Sequence, residues 1–240
     1  MAKRFKPIDL KGLKTYPLSN RESKVDVSDF SKTSQKQGTL KKFLDSLPDI
    51  LAGKDIRQVI TAIATAAREK KTVIIGMGAH VIKVGLNPVL IDLMERGVIT
   101  AVAMNGAGII HDLELAAFGK TSEDVGSSLK DGSFGMASET AAFLSDAVET
   151  AEKRSMGLGE AVGTVIIKNS MPHENISLLA AGARLGIPVT VHVAFGTDIF
   201  HMHPQFDPRS AGAATHRDFR TFASVVSSLQ GGVYLNVGSA

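Results

Sequence analysis

Short apolar segments that alternate with helical segments are the feature that most constrains the fold of this chain. Residues 72–75, 98–104, 164–167, 188–194 and 232–237 are short runs, rich in apolar and β-branched residues, as expected of buried parallel strands. Segments with apolar residues at helical spacing separate them, and no hairpin signal joins two strands directly. Parallel strands of this kind are connected by right-handed crossovers. The pattern predicts an α/β fold with a doubly wound, Rossmann-like parallel sheet of five strands.

Helix signals fill the intervals between the predicted strands. Residues 40–47 and 56–69 carry apolar stripes at helical spacing. Asn87 and Pro88 predict a helix start, and Gly97 predicts its end. Further helices are predicted over 109–118, over 136–155, from Pro172 to Gly186 and over 217–229, and residues 121–133 are predicted to form an exposed loop.

Charge is distributed unevenly along the chain. Residues 1–42 contain 11 Lys or Arg against 4 Asp or Glu, although the net charge of the whole chain is only +3. We expect a basic, irregular N-terminal extension over residues 1–39, followed by a single α/β domain over 40–240. Few aromatic residues accompany these lysines, so the extension is not expected to bind nucleic acid.

The composition excludes several classes of protein. The chain has no cysteine, which rules out disulfides, thiolate metal sites and thiol nucleophiles. The basic N-terminus is followed by no apolar segment of the kind found in secretory signals, and no apolar run approaches membrane-spanning length. We therefore expect a cytoplasmic protein without a membrane partner.

Two glycine-containing turns follow predicted strands and are candidate ligand sites. Residues 76–80 read Gly-Met-Gly-Ala-His, and residues 105–108 read Asn-Gly-Ala-Gly. In an open parallel sheet, ligands bind at the carboxyl ends of the strands, where helix N-termini offer unpaired N–H groups. The dinucleotide fingerprint is incomplete, because Val81 stands where its third glycine would be. Packing and ligand binding both remain open for each turn.

Residues 73–86 and 98–113 together resemble the deoxyhypusine synthase family. The resemblance rests on the turn at 76–80 and on Asn-Gly-Ala-Gly-Ile-Ile-His-Asp-Leu at 105–113, and it returns weakly at 186–201 and 231–233. It implies an NAD-binding fold for residues 40–240, homo-oligomers, typically tetramers, and NAD-dependent transfer of an aminobutyl group from a polyamine through a lysine imine. By position, it implies these cofactor-binding residues: Gly76, Gly78, Ala79, His80, Asn105, Gly106, Ala107, Gly108, Asp112 and Asp198.

The chain departs from the family at several positions that matter for the reaction. Ile110 and His111 replace two glutamates, and about Asn236 and Val237 stand where the family has a histidine pair. Ammonium groups need carboxylate partners, which Ile110 and His111 do not supply. The chain has no tryptophan, whereas the family's lysine lies beside one in a region that would follow residue 240. We expect a divergent relative that acts on a polyamine or related amine but does not make deoxyhypusine. Both a complete chain and one truncated at its C-terminus remain open.

Three side chains are candidate catalytic groups. Lys168, at the end of a predicted strand, could form an imine or could be a strand-end lysine that reaches solvent. His173, predicted in the first turn of a helix, and His111, at a helix start, could transfer protons. The alternatives to an enzyme of this kind are a non-catalytic nucleotide-binding or assembly protein and, as a weaker reading, a metal-dependent hydrolase that uses His201 and His203.

Overall fold

The computed structural model describes residues 5–33 and 36–238. Residues 1–4 and 34–35 of the predicted basic extension lie outside the described residues, as do residues 239–240 at the other end of the chain. The chain divides into two compact units between Val59 and Ile60.

The first unit contains short helical segments. Two 3-10 turns, Leu18–Asn20 and Val27–Asp29, precede helix α1 (Leu40–Ser46), and helix α2 (Leu51–Arg68) begins in this unit. The predicted start of α1 is confirmed, and the side chain of Thr39 caps it. Helix α2 starts five residues earlier than the apolar spacing predicted.

The second unit is built on a four-stranded parallel sheet. Its strands are β1 (Val73–Met77), β2 (Ala101–Asn105), β3 (Val189–His192) and β4 (Val233–Val237), and their order is β3-β2-β1-β4. All three pairings are parallel, so every carboxyl end lies at the same edge of the sheet. The predicted α/β fold with a parallel sheet is confirmed.

The predicted strand at 164–167 is wrong. These residues belong to helix α8 (Leu158–Lys168), which is buried over most of its circumference. Burial on several faces removes the amphipathic pattern that marks a surface helix, so the β-branched run looks like a strand. Gly163 permits this packing, because a β-carbon there would lie 2.2 Å from the carbonyl oxygen of Leu179. The sheet consequently has one strand fewer than predicted.

The remaining helices of the unit surround the sheet. They are α3 (His80–Lys83), α4 (Asn87–Glu95), α5 (Gly106–Phe118), α6 (Val125–Ser128), α7 (Ser138–Arg154), α9 (Leu178–Leu185) and α10 (Pro208–Ser227). The largest differences from prediction among these helices are at the starts of α9 and α10. Helix α9 starts after Ser177 rather than at Pro172, and α10 starts nine residues before 217. The predicted loop at 121–133 contains the short helix α6. No helix in the described ranges has the length and hydropathy needed to cross a membrane.

One face of the sheet carries the main hydrophobic core. Alternate strand residues Ile75, Val102, Met104, Val189 and Val191 point to this face. They pack with buried side chains of α4, α5, α8 and α9, while α7 packs on α8 further out. The core therefore fixes helix α5 directly beside the carboxyl end of β2.

Helix α10 covers the outer edge of β3. The Thr215 hydroxyl accepts the N–H of Val193 (3.0 Å) and donates to the carbonyl oxygen of Val191 (2.8 Å). The carboxyl group of Asp218 accepts the N–H groups of Val191 (3.0 Å) and Gly159 (2.9 Å). These side chains form hydrogen bonds with backbone groups that an edge strand would otherwise present to solvent. Asp218 thereby joins α10, β3 and the start of α8.

Burial raises the pKa of Asp218 to about 6 from an ordinary value of 3.8, although the N–H groups that it accepts act in the opposite direction. The folded protein therefore binds this proton more tightly than the unfolded chain does. The ionised carboxyl group costs stability above about pH 6, and the cost disappears as the pH falls toward about 4.

We expect Asp218→Asn to remove this pH dependence. The free energy of unfolding of the wild type, relative to the variant, should fall by up to about 3 kcal/mol between about pH 4 and pH 7. Urea denaturation of both proteins at a series of pH values measures this difference. A difference that stays constant over that range would contradict the prediction.

Candidate functional site

A cavity of about 320 Å³ lies beyond the carboxyl ends of β2 and β3. Its walls come from the start of α5, the segment 122–137, the start of α7 and the segment that follows β3. The lining residues are Lys83, Ala107, Ile110, His111, Glu114, Ser122, Glu123, Val125, Phe134, Gly135, Ala137, Thr140, Ala141, Thr197, Asp198, Ile199 and Phe200. Its size lies at the lower end of the range for small-molecule sites.

The cavity is negatively charged and has apolar walls. Glu114, Glu123 and Asp198 face one basic side chain, Lys83. With histidine neutral, the formal charge of the lining is −2, and apolar side chains such as Phe134 and Phe200 complete the surface. A small cation with an apolar part is the ligand class that this lining favours.

Helix α5 supplies the polar groups at the centre of the cavity. His111 and Glu114 are three residues apart, so they lie on the same side of the helix. Glu114 accepts hydrogen bonds from the hydroxyl groups of Thr121 (2.6 Å) and Thr140 (3.1 Å). Nδ1 of His111 lies 2.7 Å from the same Thr121 oxygen. These contacts tie α5 to the segment after it and to α7.

The pKa of His111 is lowered from its ordinary value. Burial is the main cause, and the nearby positive charges of Lys83 and His80 act in the same direction. His111 is therefore a neutral imidazole at neutral pH. Of the three predicted catalytic side chains, His111 is the one that lines the cavity.

Glu114 and Glu123 were missed in the sequence analysis. The spacing of His111 and Glu114 on a predicted helix was a usable signal for Glu114. Glu123 accepts the N–H of Gly135 (2.7 Å) and reaches the cavity only because the segment 122–137 folds over it. No local pattern in the sequence marks that arrangement.

Two residues of the predicted cofactor site, Gly106 and Asp198, come together at the start of α5. A β-carbon on Gly106 would lie 2.1 Å from Oδ2 of Asp198, so the carboxyl group occupies the space beside this helix N-terminus. Asp198 is held there by the N–H of Ala194 (3.3 Å), and Asn105 caps the helix by accepting the N–H of Gly108 (3.2 Å). Ala107 lines the cavity.

These contacts do not fit the phosphate groups of NAD at Gly106. A pyrophosphate binds a helix N-terminus because bare N–H groups and the helix dipole attract an anion. Here an acidic side chain of the protein already lies against the first residue of α5, and it would repel a phosphate.

The second predicted turn, at residues 76–80, does not line the cavity. A β-carbon on Gly76 would lie 2.2 Å from the hydroxyl oxygen of Tyr234, so this glycine makes room for a side chain of β4. The N–H of Gly78 donates to the carbonyl oxygen of Val237 (3.3 Å). Ala79 is buried and His80 is exposed at the start of α3, whose last residue, Lys83, reaches the cavity.

Asp112 lies inside the protein, away from the cavity. It is fully buried and accepts the Ser177 hydroxyl (2.5 Å), the N–H groups of Leu178 (2.9 Å) and Leu179 (3.1 Å), and the side-chain amide of Asn87 (2.9 Å). Burial raises its pKa, and the four hydrogen bonds oppose that shift. Asp112 therefore anchors the N-terminus of α9 to α4 and α5.

Lys168 and His173 also lie outside the cavity lining. Lys168 is at the end of helix α8 rather than of a strand, its side chain is 65% exposed, and Nζ lies 3.8 Å from Asp146. His173 follows α8 in a turn, where its N–H donates to the carbonyl oxygen of Ala116 (2.9 Å) and its ring lies against Gly119. The structure does not bring either side chain to His111.

The two histidines of the predicted metal site, His201 and His203, have different surroundings. The His201 ring contacts the rings of Phe195, Phe200 and Phe206, with centroids 4.3–5.0 Å apart. Both of its nitrogens are buried and have no hydrogen-bond partner among the described residues. Nδ1 of His203 accepts the N–H of Gln205 (3.3 Å). Within residues 5–33 and 36–238, no group of three or more His, Asp or Glu is arranged to hold a metal ion.

Solved structures with a similar fold are known at low sequence identity. A candidate deoxyhypusine synthase from Entamoeba histolytica has a TM-score of 0.50 and 14% identity, covering 81% of this chain and 76% of that protein. An arginine dihydrolase of the ornithine–ammonia cycle in cyanobacteria has a TM-score of 0.49 and 13% identity, covering 79% and 25%. A conserved candidate LOR/SDH protein from Methanococcus maripaludis has a TM-score of 0.44 and 17% identity, covering 76% and 52%.

The similarity to the Entamoeba protein shows the fold alone, and the relation to deoxyhypusine synthase is a distant one. The chain spans about a quarter of the cyanobacterial enzyme and about half of the Methanococcus protein. No protein-family model matches the chain, and a comparison with curated proteins found no match.

The contact between Gly106 and Asp198 predicts non-additive mutational effects. We expect Gly106→Ala to cost about 1–3 kcal/mol of stability, because the new methyl group displaces the Asp198 carboxyl group. In an Asp198→Ala background the same substitution should be neutral or slightly stabilising, since Gly106 has no positive φ and alanine favours a helix. Urea denaturation of the two single variants and the double variant measures the coupling. If the stability cost of the double variant equals the sum of the costs of the two single variants, the contact between Gly106 and Asp198 would be contradicted.

Asp112 is expected to affect stability rather than ligand binding. Asp112→Ala leaves several buried donors without a partner and should cost about 3 kcal/mol or more. Asp112→Asn keeps one acceptor oxygen and should cost less, so it serves as the folded variant for binding measurements. Thermal unfolding measures the stability of both. A variant with wild-type stability and altered ligand affinity would place Asp112 in the binding site instead.

Proposed function

We propose that this protein binds a small organic amine in the strand-end cavity, as a distant relative of deoxyhypusine synthase in fold. The observation that carries the proposal is the lining of the cavity, which sets three acidic side chains against one lysine. An alkylammonium ion matches both parts of that lining, because its charged nitrogen suits the acidic groups and its carbon chain suits the apolar walls.

The acidic side chains of the cavity provide the carboxylate partners for an ammonium group that the residues matched by the resemblance lack. Ile110 and His111 stand where deoxyhypusine synthases have two glutamates, and neither carries a negative charge. Glu114 lies one turn further along the same helix, and Glu123 and Asp198 reach the cavity from two other segments. Carboxylate partners for an ammonium group are therefore present at the site, although at different positions in the chain.

Amine binding is a narrower proposal than NAD-dependent aminoalkyl transfer, which the resemblance implies. The Gly106 turn carries its own acidic group where a phosphate would lie, and the cavity volume is small for a dinucleotide. The proposal therefore includes no reaction step through NAD. The side chains that line the cavity can hold the ammonium group of an amine, accept hydrogen bonds from its N–H groups and enclose the carbon chain beside aromatic rings.

Titration calorimetry with 1,4-diaminobutane and spermidine at low ionic strength tests the proposal. We expect saturable binding of the amines and no binding of butanedioate, a dianion of similar length, because the cavity is negative. Glu123→Gln keeps an oxygen for the N–H of Gly135 but removes a charge, so it should weaken amine binding about tenfold.

Glu149→Gln is the matched control. Glu149 lies on α7 outside the cavity, where it pairs with Lys153 and is 62% exposed. Its neutralisation should leave the affinity within about twofold of the wild type. The absence of saturable amine binding up to about 10 mM, with the fold shown intact, would refute the proposed function. If both glutamine variants changed the affinity equally, the amine would not be bound in this cavity.

A further inference from the structure

A chain of hydrogen bonds crosses the cavity wall and ends at His111. Thr140 on α7 donates to one oxygen of Glu114 (3.1 Å), and Thr121 donates to the other (2.6 Å). The Thr121 oxygen also lies 2.7 Å from Nδ1 of His111. Three segments of the chain thus meet in one network.

The network determines which nitrogen of His111 carries the proton. A threonine hydroxyl has a single hydrogen, and Thr121 gives it to the carboxylate of Glu114, which can only accept. Nδ1 of His111 must therefore be the donor in its contact with Thr121. A neutral imidazole has one N–H, so Nε2 of His111 carries a lone pair.

Nε2 of His111 has no hydrogen-bond partner within the described parts of the chain, and His111 lines the cavity. The charged or titratable groups around the ring are His80 and Lys83 from α3, Glu114 from its own helix, and Glu123 and Asp198 from the two segments that close the cavity. The lone pair is therefore a neutral acceptor in a cavity whose lining also contains three acidic side chains and Lys83.

We propose that Nε2 of neutral His111 accepts a hydrogen bond from the bound ammonium group, so that the site selects amines with N–H bonds and rejects quaternary ammonium ions. The inference rests on the proposed amine binding and specifies its ligand class. Thr121 and Glu114 act as positioning residues, because they keep the proton on Nδ1 and the lone pair on Nε2.

The same arrangement makes amine binding depend on pH. Protonated His111 has no lone pair and adds a positive charge beside the ammonium group, so it cannot bind the ligand in this way. Protons and amine therefore compete for Nε2, and the affinity should fall about tenfold for each pH unit below the pKa of His111. Burial, Lys83 and His80 hold that pKa below its ordinary value, so the affinity should be constant around pH 7 and fall in the acidic range.

The tautomer can be measured in the free protein, whether or not an amine binds. Nitrogen-15 NMR of the histidine rings at pH 7.5 should show His111 protonated at Nδ1. Thr121→Val should let the ring adopt the Nε2–H form, and Thr121→Ser, which keeps a hydroxyl group, should restore the wild-type spectrum. A wild-type ring with its proton on Nε2 would overturn the inference.

Ligand selectivity is measured with butylamine and butyltrimethylammonium, which share a chain and a charge. We expect butylamine to bind the wild type and the quaternary ion to bind at least tenfold more weakly. Equal affinities for the two probes would overturn the inference but leave the proposed amine function intact. If neither these two probes nor the diamines bind, the proposed function is refuted. The tautomer of His111 is measured in the free protein, so its result does not depend on that outcome.

His111→Asn is the decisive variant. Its amide nitrogen can still donate to Thr121 from about the position of Nδ1, but the acceptor at Nε2 is gone. We expect butylamine to bind about tenfold more weakly at pH 7.5, with no further loss between about pH 7 and pH 5. A variant that keeps the affinity or the pH profile of the wild type would show that His111 does not contact the amine.

Discussion

Acidic side chains lie at the N-termini of three helices of the second unit, and much of the structure depends on this arrangement. Asp112 accepts N–H groups at the start of α9, Asp218 accepts one at the start of α8, and Asp198 lies against the first residue of α5. A helix N-terminus attracts an anion through its unpaired N–H groups and its dipole. In each case the acidic side chain comes from a distant part of the same chain.

This arrangement also shapes the candidate site. Asp112 fixes α5 from its buried side, where it joins α4 and α9, so the opposite side of α5 is held at the edge of the cavity. Asp198 closes the helix end that a phosphate would use in a nucleotide-binding protein. The excess negative charge of the cavity lining comes from Glu114, Glu123 and Asp198, and the proposal of amine binding rests on this charge.

Glycines permit two of these contacts, and their role differs from the one that the sequence suggested. Glycine-rich turns at strand ends indicated a backbone left bare for a ligand. In the structure the free space at Gly106 is filled by Asp198 and that at Gly76 by Tyr234. Similarly, Gly157 leaves room for the carboxyl group of Asp218. A glycine in the sequence indicates that another group approaches the backbone closely, but it does not indicate whether that group is a ligand or a side chain.

The fold class follows from the sequence alone, because strand and helix periodicity are local properties and most of the elements show them clearly. It predicted β1, β2, β3 and β4, the parallel sheet and the edge at which the cavity lies. It also indicated His111, which lines that cavity, on a helix start beside a strand end.

Tertiary structure alone decided the rest, because those features depend on contacts between residues far apart in the chain. Residues 164–167 form a helix since α8 is buried on several sides, which erases the periodicity that would have identified it. Asp112 and Asp198 are similar in sequence context to ligand-binding acids, yet one is buried at α9 and the other lies on Gly106. Glu123 reaches the cavity, and Thr121 contacts Nδ1 of His111, only because the segment after α5 folds back over that helix. Local patterns carry no information about such long-range contacts, so the charge and the hydrogen-bond partners of the site are defined only in the folded chain.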